Sequence, residues 1–202
     1  MLKLKKVAIT GGLACGKSTV CRFMRDMGAY VVSADEIVHD LLTPHTVLGQ
    51  KVILLLGQDI VSNGKIDRKI VALKVFKDKE RLDSLEKLIH PIVLDEIEKR
   101  YQHIKDNPNI KLFVAEIPLL FEINAQDAFD VSIAVIAEEN CCKKRWMQSR
   151  TDDPSEDEYT QRMQRQLDVK TKAARATYCI ENLSDMQHLR IATEKLFCIL
   201  QR

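Results

Sequence analysis

An α/β fold, a parallel sheet of five strands flanked by helices, is predicted by three observations. Short apolar runs rich in β-branched residues alternate with amphipathic stretches along the chain, as in a sheet wrapped on both faces. The first run, Lys6–Thr10, passes through a glycine-rich turn directly into a helical pattern. The length of 202 residues, 46% hydrophobic and 30% charged, suits one domain with room for a helical insertion.

Taken in order, strands are predicted at Lys6–Thr10, Ala29–Ala34, Lys111–Ile117, Val131–Ala137 and Tyr178–Glu181, most with the composition of strands buried on both faces. Lys17–Met27 reads as a helix closed by Gly28, which tolerates the left-handed backbone just past a helix end. From Glu36 to about Asn107 the apolar spacing is helical almost throughout, interrupted at Thr43-Pro44, Gly57 and Ser62-Asn63-Gly64. Its longest piece, Lys77–Lys105, carries an apolar stripe and a predicted bend at His90-Pro91. Glu138–Arg150 and Ser155–Gln166 read as polar helices around the charged turn Thr151–Pro154, the pattern of a mobile lid, and Ser184–Leu200 as a closing amphipathic helix. The chain is thus expected to be one domain, 1–202. Its core comprises 1–35, 109–137 and 176–202, its helical substrate-binding insertion about 36–108, and its lid about 138–175.

Lys and Arg number 31 against 29 for Asp and Glu, a formal charge of +2 that marks no dedicated nucleic-acid binder. No apolar run approaches the ~18 residues needed to cross a bilayer, and the stretch after the basic start stops at Gly11-Gly12, too soon for a signal peptide. A soluble, cytoplasmic protein follows as the expectation, with a small-molecule partner, no nucleic acid and no membrane, as a monomer or small homo-oligomer. The cysteines at 15, 21, 141, 142, 179 and 198 lack C-x-x-C or zinc-finger spacing, so reduced and mostly buried thiols are expected. Cys15 is the exception, placed by its motif near a bound anion and open to unusual reactivity.

Gly11-Gly12-Leu13-Ala14-Cys15-Gly16-Lys17-Ser18 fits G-x-x-x-x-G-K-[ST] between a predicted strand and a predicted helix, the context that phosphate-loop motif requires. Backbone N–H groups from Gly12 through Thr19, together with the helix N-terminus, are set to surround a polyphosphate. Lys17 supplies a mobile positive charge for the β and γ phosphates, and the Ser18 hydroxyl is placed to ligate Mg²⁺. A plain glycine turn needs neither Lys17 nor Ser18. Scanning finds neither the N-K-x-D nor the D-x-x-G of a GTP switch, and the chain is short for a motor. A small-molecule kinase using a nucleoside triphosphate remains.

Asp35 follows the second strand, so its carboxylate should emerge beside the phosphate loop, either as the base for an attacking hydroxyl or as an N-cap of the next helix. Glu116 ends the third strand and reads as an outer-sphere metal partner, against the alternative of a surface Glu. His90 is equally a helix-kink histidine or a group that meets a substrate phosphate or base. The cations between Lys143 and Arg175, Lys172 among them, are either a solvated helix pair or a lid that closes over the transferring group. Arg150, beside the charged turn, is the first choice for that catalytic arginine.

Several separated motifs together resemble the dephospho-CoA kinase family over nearly the whole chain. They are Thr10-Gly11-Gly12-Leu13, Ala34-Asp35, Asn63-Gly64-Lys65-Ile66-Asp67-Arg68 before Val75-Phe76, Leu88-Ile89-His90-Pro91-Ile92, and Pro118-Leu119-Leu120-Phe121-Glu122. Arg150, Arg162 with Gln166, and Ile180-Glu181-Asn182 correspond more loosely to the family's lid and adenine-side loop. The resemblance implies a P-loop kinase core with a helical CoA-binding portion and a lid. It also implies ATP- and Mg²⁺-dependent phosphorylation of the ribose 3′-hydroxyl of dephospho-CoA, the last step of coenzyme A synthesis. Under it Lys17, Asp35 and Arg150 are catalytic, Asp35 being the base, and Arg68 and His90 lie on the acceptor side. Ser18 and Glu116 serve the metal. The chain departs from the family's commonest pattern at Cys15, Ser33, Glu116, Ala176-Thr177-Tyr178 and Leu183. The competing readings are another small-acceptor P-loop kinase, acting on nucleosides or nucleotides, and a nucleotide-sensing protein without transfer.

Overall fold

All six residues of β1 (Lys6–Gly11) are buried, and that is possible only for a strand covered on both faces. Even Lys6 complies: its ammonium lies over the rings of Tyr101 and Phe129, at 5.3 and 4.9 Å from their centroids. The computed structural model describes residues 3–76, 78–148, 156–183 and 185–202. From β1 the chain passes through the glycine loop into α1 (Lys17–Asp26) and then β2 (Ala29–Ser33). The next elements are α2 (Ala34–Leu41), α3 (Val47–Leu56), the short strands β3 (Val61–Ser62) and β4 (Lys65–Ile66), α4 (Arg68–Phe76) and α5 (Lys79–Ile104). It returns to the sheet with β5 (Leu112–Glu116) and β6 (Val131–Ile136). α6 (Glu139–Gln148), α7 (Glu156–Met163), α8 (Val169–Arg175), β7 (Tyr178–Glu181) and α9 (Met186–Leu200) complete the order.

The parallel sheet has five strands in the order β2-β5-β1-β6-β7. β1 is central, with Ile9 opposite Glu116 of β5 and Ile133 of β6. Chain order changes sides at β1, and in open α/β sheets such a switch leaves a crevice at the carboxyl ends of the strands. One face is filled by α1 and α9, whose Val20, Met24, Leu196 and Leu200 pack on Val7, Ile9, Val114 and Val135. α8 lies against β1 and β6.

Two compact units are present, one formed by Met1–Val32 with Tyr101–Arg202, the other by Ser33–Arg100. The second has its own apolar core around Leu48, Val52, Leu56, Ile60, Ile66 and Val71. This unit contains an antiparallel hairpin, β3–β4, in a stretch whose spacing predicts helix almost throughout. Its turn is Asn63-Gly64, both residues at positive φ (51° and 72°), the conformation that two-residue hairpin turns demand. The sequence carried that signal in Asn-Gly; the strands beside it are too short to show alternation.

Most other boundaries differ from expectation by one to three residues. Ala34 begins α2 and does not end β2, because the Ser33 side chain accepts the backbone N–H of Glu36 and caps the helix. Asp35 is thus within the first turn and is not the N-cap. α8, a separate helix capped by Asp168, divides the segment that charge density marked as a helix pair. The Thr151–Pro154 turn and Arg150 lie outside the described residues. Among the described residues no helix is long and apolar enough to cross a membrane.

Candidate active site

The loop Gly11–Ser18 leaves β1 and enters α1 with backbone angles that its residue types dictate. Gly16 is the N-cap in the left-handed region (φ 102°), and a Cβ there would stand 2.6 Å from Asn182 Nδ2. Gly11 is held as tightly, since a Cβ on it would overlap the Val135 carbonyl oxygen at 2.0 Å. Asn182, just past β7, donates through Nδ2 to the Cys15 carbonyl at 2.9 Å, while its backbone N–H donates to Ile136 at 2.7 Å. It was expected on the adenine side by resemblance; the structure shows it bracing the loop.

Lys17 is buried, and its ammonium donates to the Gly12 carbonyl at 2.8 Å and the Gly11 carbonyl at 3.4 Å. The charge is therefore held by the loop's own backbone. Thr19 and Val20 donate their N–H groups to the Gly16 carbonyl at 3.1 Å, which starts α1. Leu13 and Ala14, half-buried, form the outer bend, with Ala14 at φ 54°.

Ser18 Oγ donates to Glu116 Oε1 at 2.9 Å, joining the start of α1 to the end of β5. Glu116 is half-buried and engaged, so the surface-Glu alternative is excluded. Cys21, one helical turn further along α1, meets the same carboxylate; burial and Glu116 together push its thiol well above the usual range. One hydroxyl and one carboxylate oxygen are hard donors that fit Mg²⁺, with water and phosphate oxygens left to complete its sphere. No group of three His, Cys, Asp or Glu suited to a metal occurs among the described residues.

A wall outside the loop has no signature in the sequence. The first residue of α8, Val169, lies so close that a Cβ on Gly12 would be 3.1 Å from its Cγ2. Lys172 of α8 is neither a solvated cation nor part of an exposed lid face: it is fully buried, bonded to Pro118, Gln166 and Glu122. Helical periodicity could not reveal this, because α8 is only two turns long and mostly polar.

Cys15 is no exception to the buried thiols, and its burial does not fit unusual reactivity. It is 1% exposed, and burial raises its thiol pKa despite the opposing charge of Lys17. The thiols are not mostly buried: Cys141, Cys179 and Cys198 are exposed. Brief treatment of the native protein with iodoacetamide at neutral pH should label Cys141 and Cys198 and spare Cys15 and Cys21, as read by peptide mass spectrometry. Labelling of Cys15 as fast as Cys198 would contradict the burial described here.

Asp35, Arg68 and His90 lie in the Ser33–Arg100 unit. Asp35 is exposed in the first turn of α2, beside Glu36. Arg68 opens α4, and its guanidinium meets His39 Nε2 at 3.1 Å. His39 was not singled out in the sequence, and no motif marks it. His90 is half-buried within α5, where burial lowers its pKa against the opposing pull of Glu86. The structure thus joins Lys17, Ser18 and Glu116 at one loop and Arg68 with His39 elsewhere.

Comparison with known proteins agrees with this geometry. The family model for dephospho-CoA kinase matches residues 5–188. A dephospho-CoA kinase of Protochlamydia amoebophila is 44% identical over 198 residues, covering 98% of this chain and 97% of that protein. One from Chlamydia pneumoniae is 44% identical over 201 residues, covering 100% and 98%. Among solved structures, a Campylobacter jejuni dephospho-CoA kinase superposes with a TM-score of 0.70 at 29% identity, over 96% of both chains. A Bacteroides thetaiotaomicron shikimate kinase, with a TM-score of 0.57 at 13% identity over 97% of this chain and 98% of the other, shares the fold alone. On the strength of the family match and the full-length relatives, the chain belongs to the dephospho-CoA kinase family.

Proposed function

We propose that this protein transfers the γ-phosphoryl group of ATP to the ribose 3′-hydroxyl of dephospho-CoA, giving CoA and ADP, in the cytoplasm. The observation that carries the reading is full-length family membership combined with an intact phosphate loop, whose Lys17 and Ser18–Glu116 pair stand together at the carboxyl ends of β1 and β5. Loop amides and the N-terminus of α1 bind and orient the triphosphate. Lys17 exchanges its carbonyl partners for phosphate oxygens and neutralises charge on the group in transfer. Ser18 and Glu116 would hold Mg²⁺, which would supply neutralisation of phosphate charge. Asp35 takes the proton from the attacking hydroxyl, Arg68 and His90 serve the acceptor, and Arg150 serves the phosphates.

One incubation with ATP, Mg²⁺ and dephospho-CoA, followed by mass detection, tests the proposal. CoA and ADP should appear in equal amounts. ADP release that is indifferent to dephospho-CoA, or transfer to a nucleoside in its place, would favour the alternative kinases; ATP binding without turnover would favour a sensor.

A further inference from the structure

A fully buried lysine needs a reason, because an ammonium taken out of water is strongly unfavourable unless close partners offset the loss of hydration. Lys172 satisfies its three donors with the Pro118 carbonyl at 2.8 Å, Glu122 Oε1 at 2.9 Å and Gln166 Oε1 at 3.1 Å. Each acceptor is itself engaged or placed by the chain around the phosphate loop. The Pro118 carbonyl also accepts the Thr10 hydroxyl at 3.0 Å, and Thr10 is the residue that leads into Gly11. Glu122 Oε1 also accepts the Leu167 N–H at 2.8 Å, which fixes the approach to α8. Asp168 then caps α8, and Val169 lies against Gly12.

We propose that Lys172 is a positioning residue of the phosphate loop: its ammonium ties the segment after β5 to the start of α8 and so sets how Val169 bears on Gly12 and how Thr10 delivers Gly11. The inference rests on the phosphate loop being the ATP site and on nothing about the acceptor. The charge lies near enough to the loop to be felt there, since Lys17 and Cys15 both act on the Lys172 ammonium. Burial lowers its pKa, and the Glu122 carboxylate opposes that fall, so the ion pair is maintained by its partner. The unused oxygen of that carboxylate, Glu122 Oε2, is buried without a partner.

The test uses Lys172→Met and the double variant Lys172→Met/Glu122→Gln. The single change leaves Glu122 buried and charged without its cation and is expected to destabilise the fold. The double change removes both charges together, so the melting temperature should stay near that of the parent. With the double variant the Kd for inorganic triphosphate in Mg²⁺ and the KM for ATP are expected to rise about tenfold, with the KM of the acceptor unchanged. A purely structural role moves the melting temperature and leaves that selective rise absent, so unchanged triphosphate affinity in a stable double variant would overturn the proposal. Equal rises in both KM values would overturn it too. A parent protein that fails to bind triphosphate would defeat the functional reading itself, which separates the two failures.

Discussion

Asp35→Asn is expected to lower turnover by roughly 10²-fold or more while ATP affinity stays within a few-fold. The amide keeps the size of the carboxylate and loses its ability to take a proton. The structure makes the test clean, because Ser33 caps α2 and Glu36 stays in the first turn, so the helix keeps both its cap and an acidic residue near its N-terminus. Steady-state kinetics, an ADP titration and a thermal melt together check it. Unchanged turnover would remove Asp35 from the mechanism; a collapsed melt would mean that its carboxylate is needed for folding.

Lys17→Ala should act differently, raising the KM for ATP and lowering kcat together. Its ammonium meets phosphate charge in the ground state and more strongly in the transition state, so both quantities depend on it. A loss of roughly 10²- to 10³-fold in kcat/KM is the scale seen when one preorganised donor is removed. The change also leaves the Gly12 carbonyl, now bonded to Lys17 at 2.8 Å, without that donor. Lys17→Met, which retains the apolar stem, separates loss of charge from loss of packing. A variant with parental kinetics would contradict the account of the loop.

The inner strands β1, β5 and β6 were legible because parallel strands covered on both faces must be apolar almost throughout, whereas the edge strands β2 and β7 are partly exposed and show a weaker pattern. The phosphate loop was legible for a stronger reason: glycine, lysine and serine each answer a separate demand at a fixed spacing. What stayed hidden depends on residues that are distant in sequence and chemically ordinary. Asn182 reads as a strand-end amide, yet it holds the Cys15 carbonyl. Lys172 sits in a charge-rich stretch where exposure is the natural expectation, and only the fold shows that Pro118 and Glu122 enclose it. The burial of Cys15 has no signal in the sequence, because motif position bears on whether a thiol is near a phosphate and says nothing of whether reagents reach it. Asp35 was rightly placed after a strand, but which residue caps α2 depended on Ser33, whose small hydroxyl gives no periodic signal.

The bond between Asn182 and Cys15 spans 167 positions of chain. On a ribosome, the amide that braces the loop from β7's far end emerges long after the loop itself has left the exit tunnel. Nascent chains halted before that point contain the entire nucleotide motif without this brace, so competence to grip ATP should rise only after Asn182 has emerged.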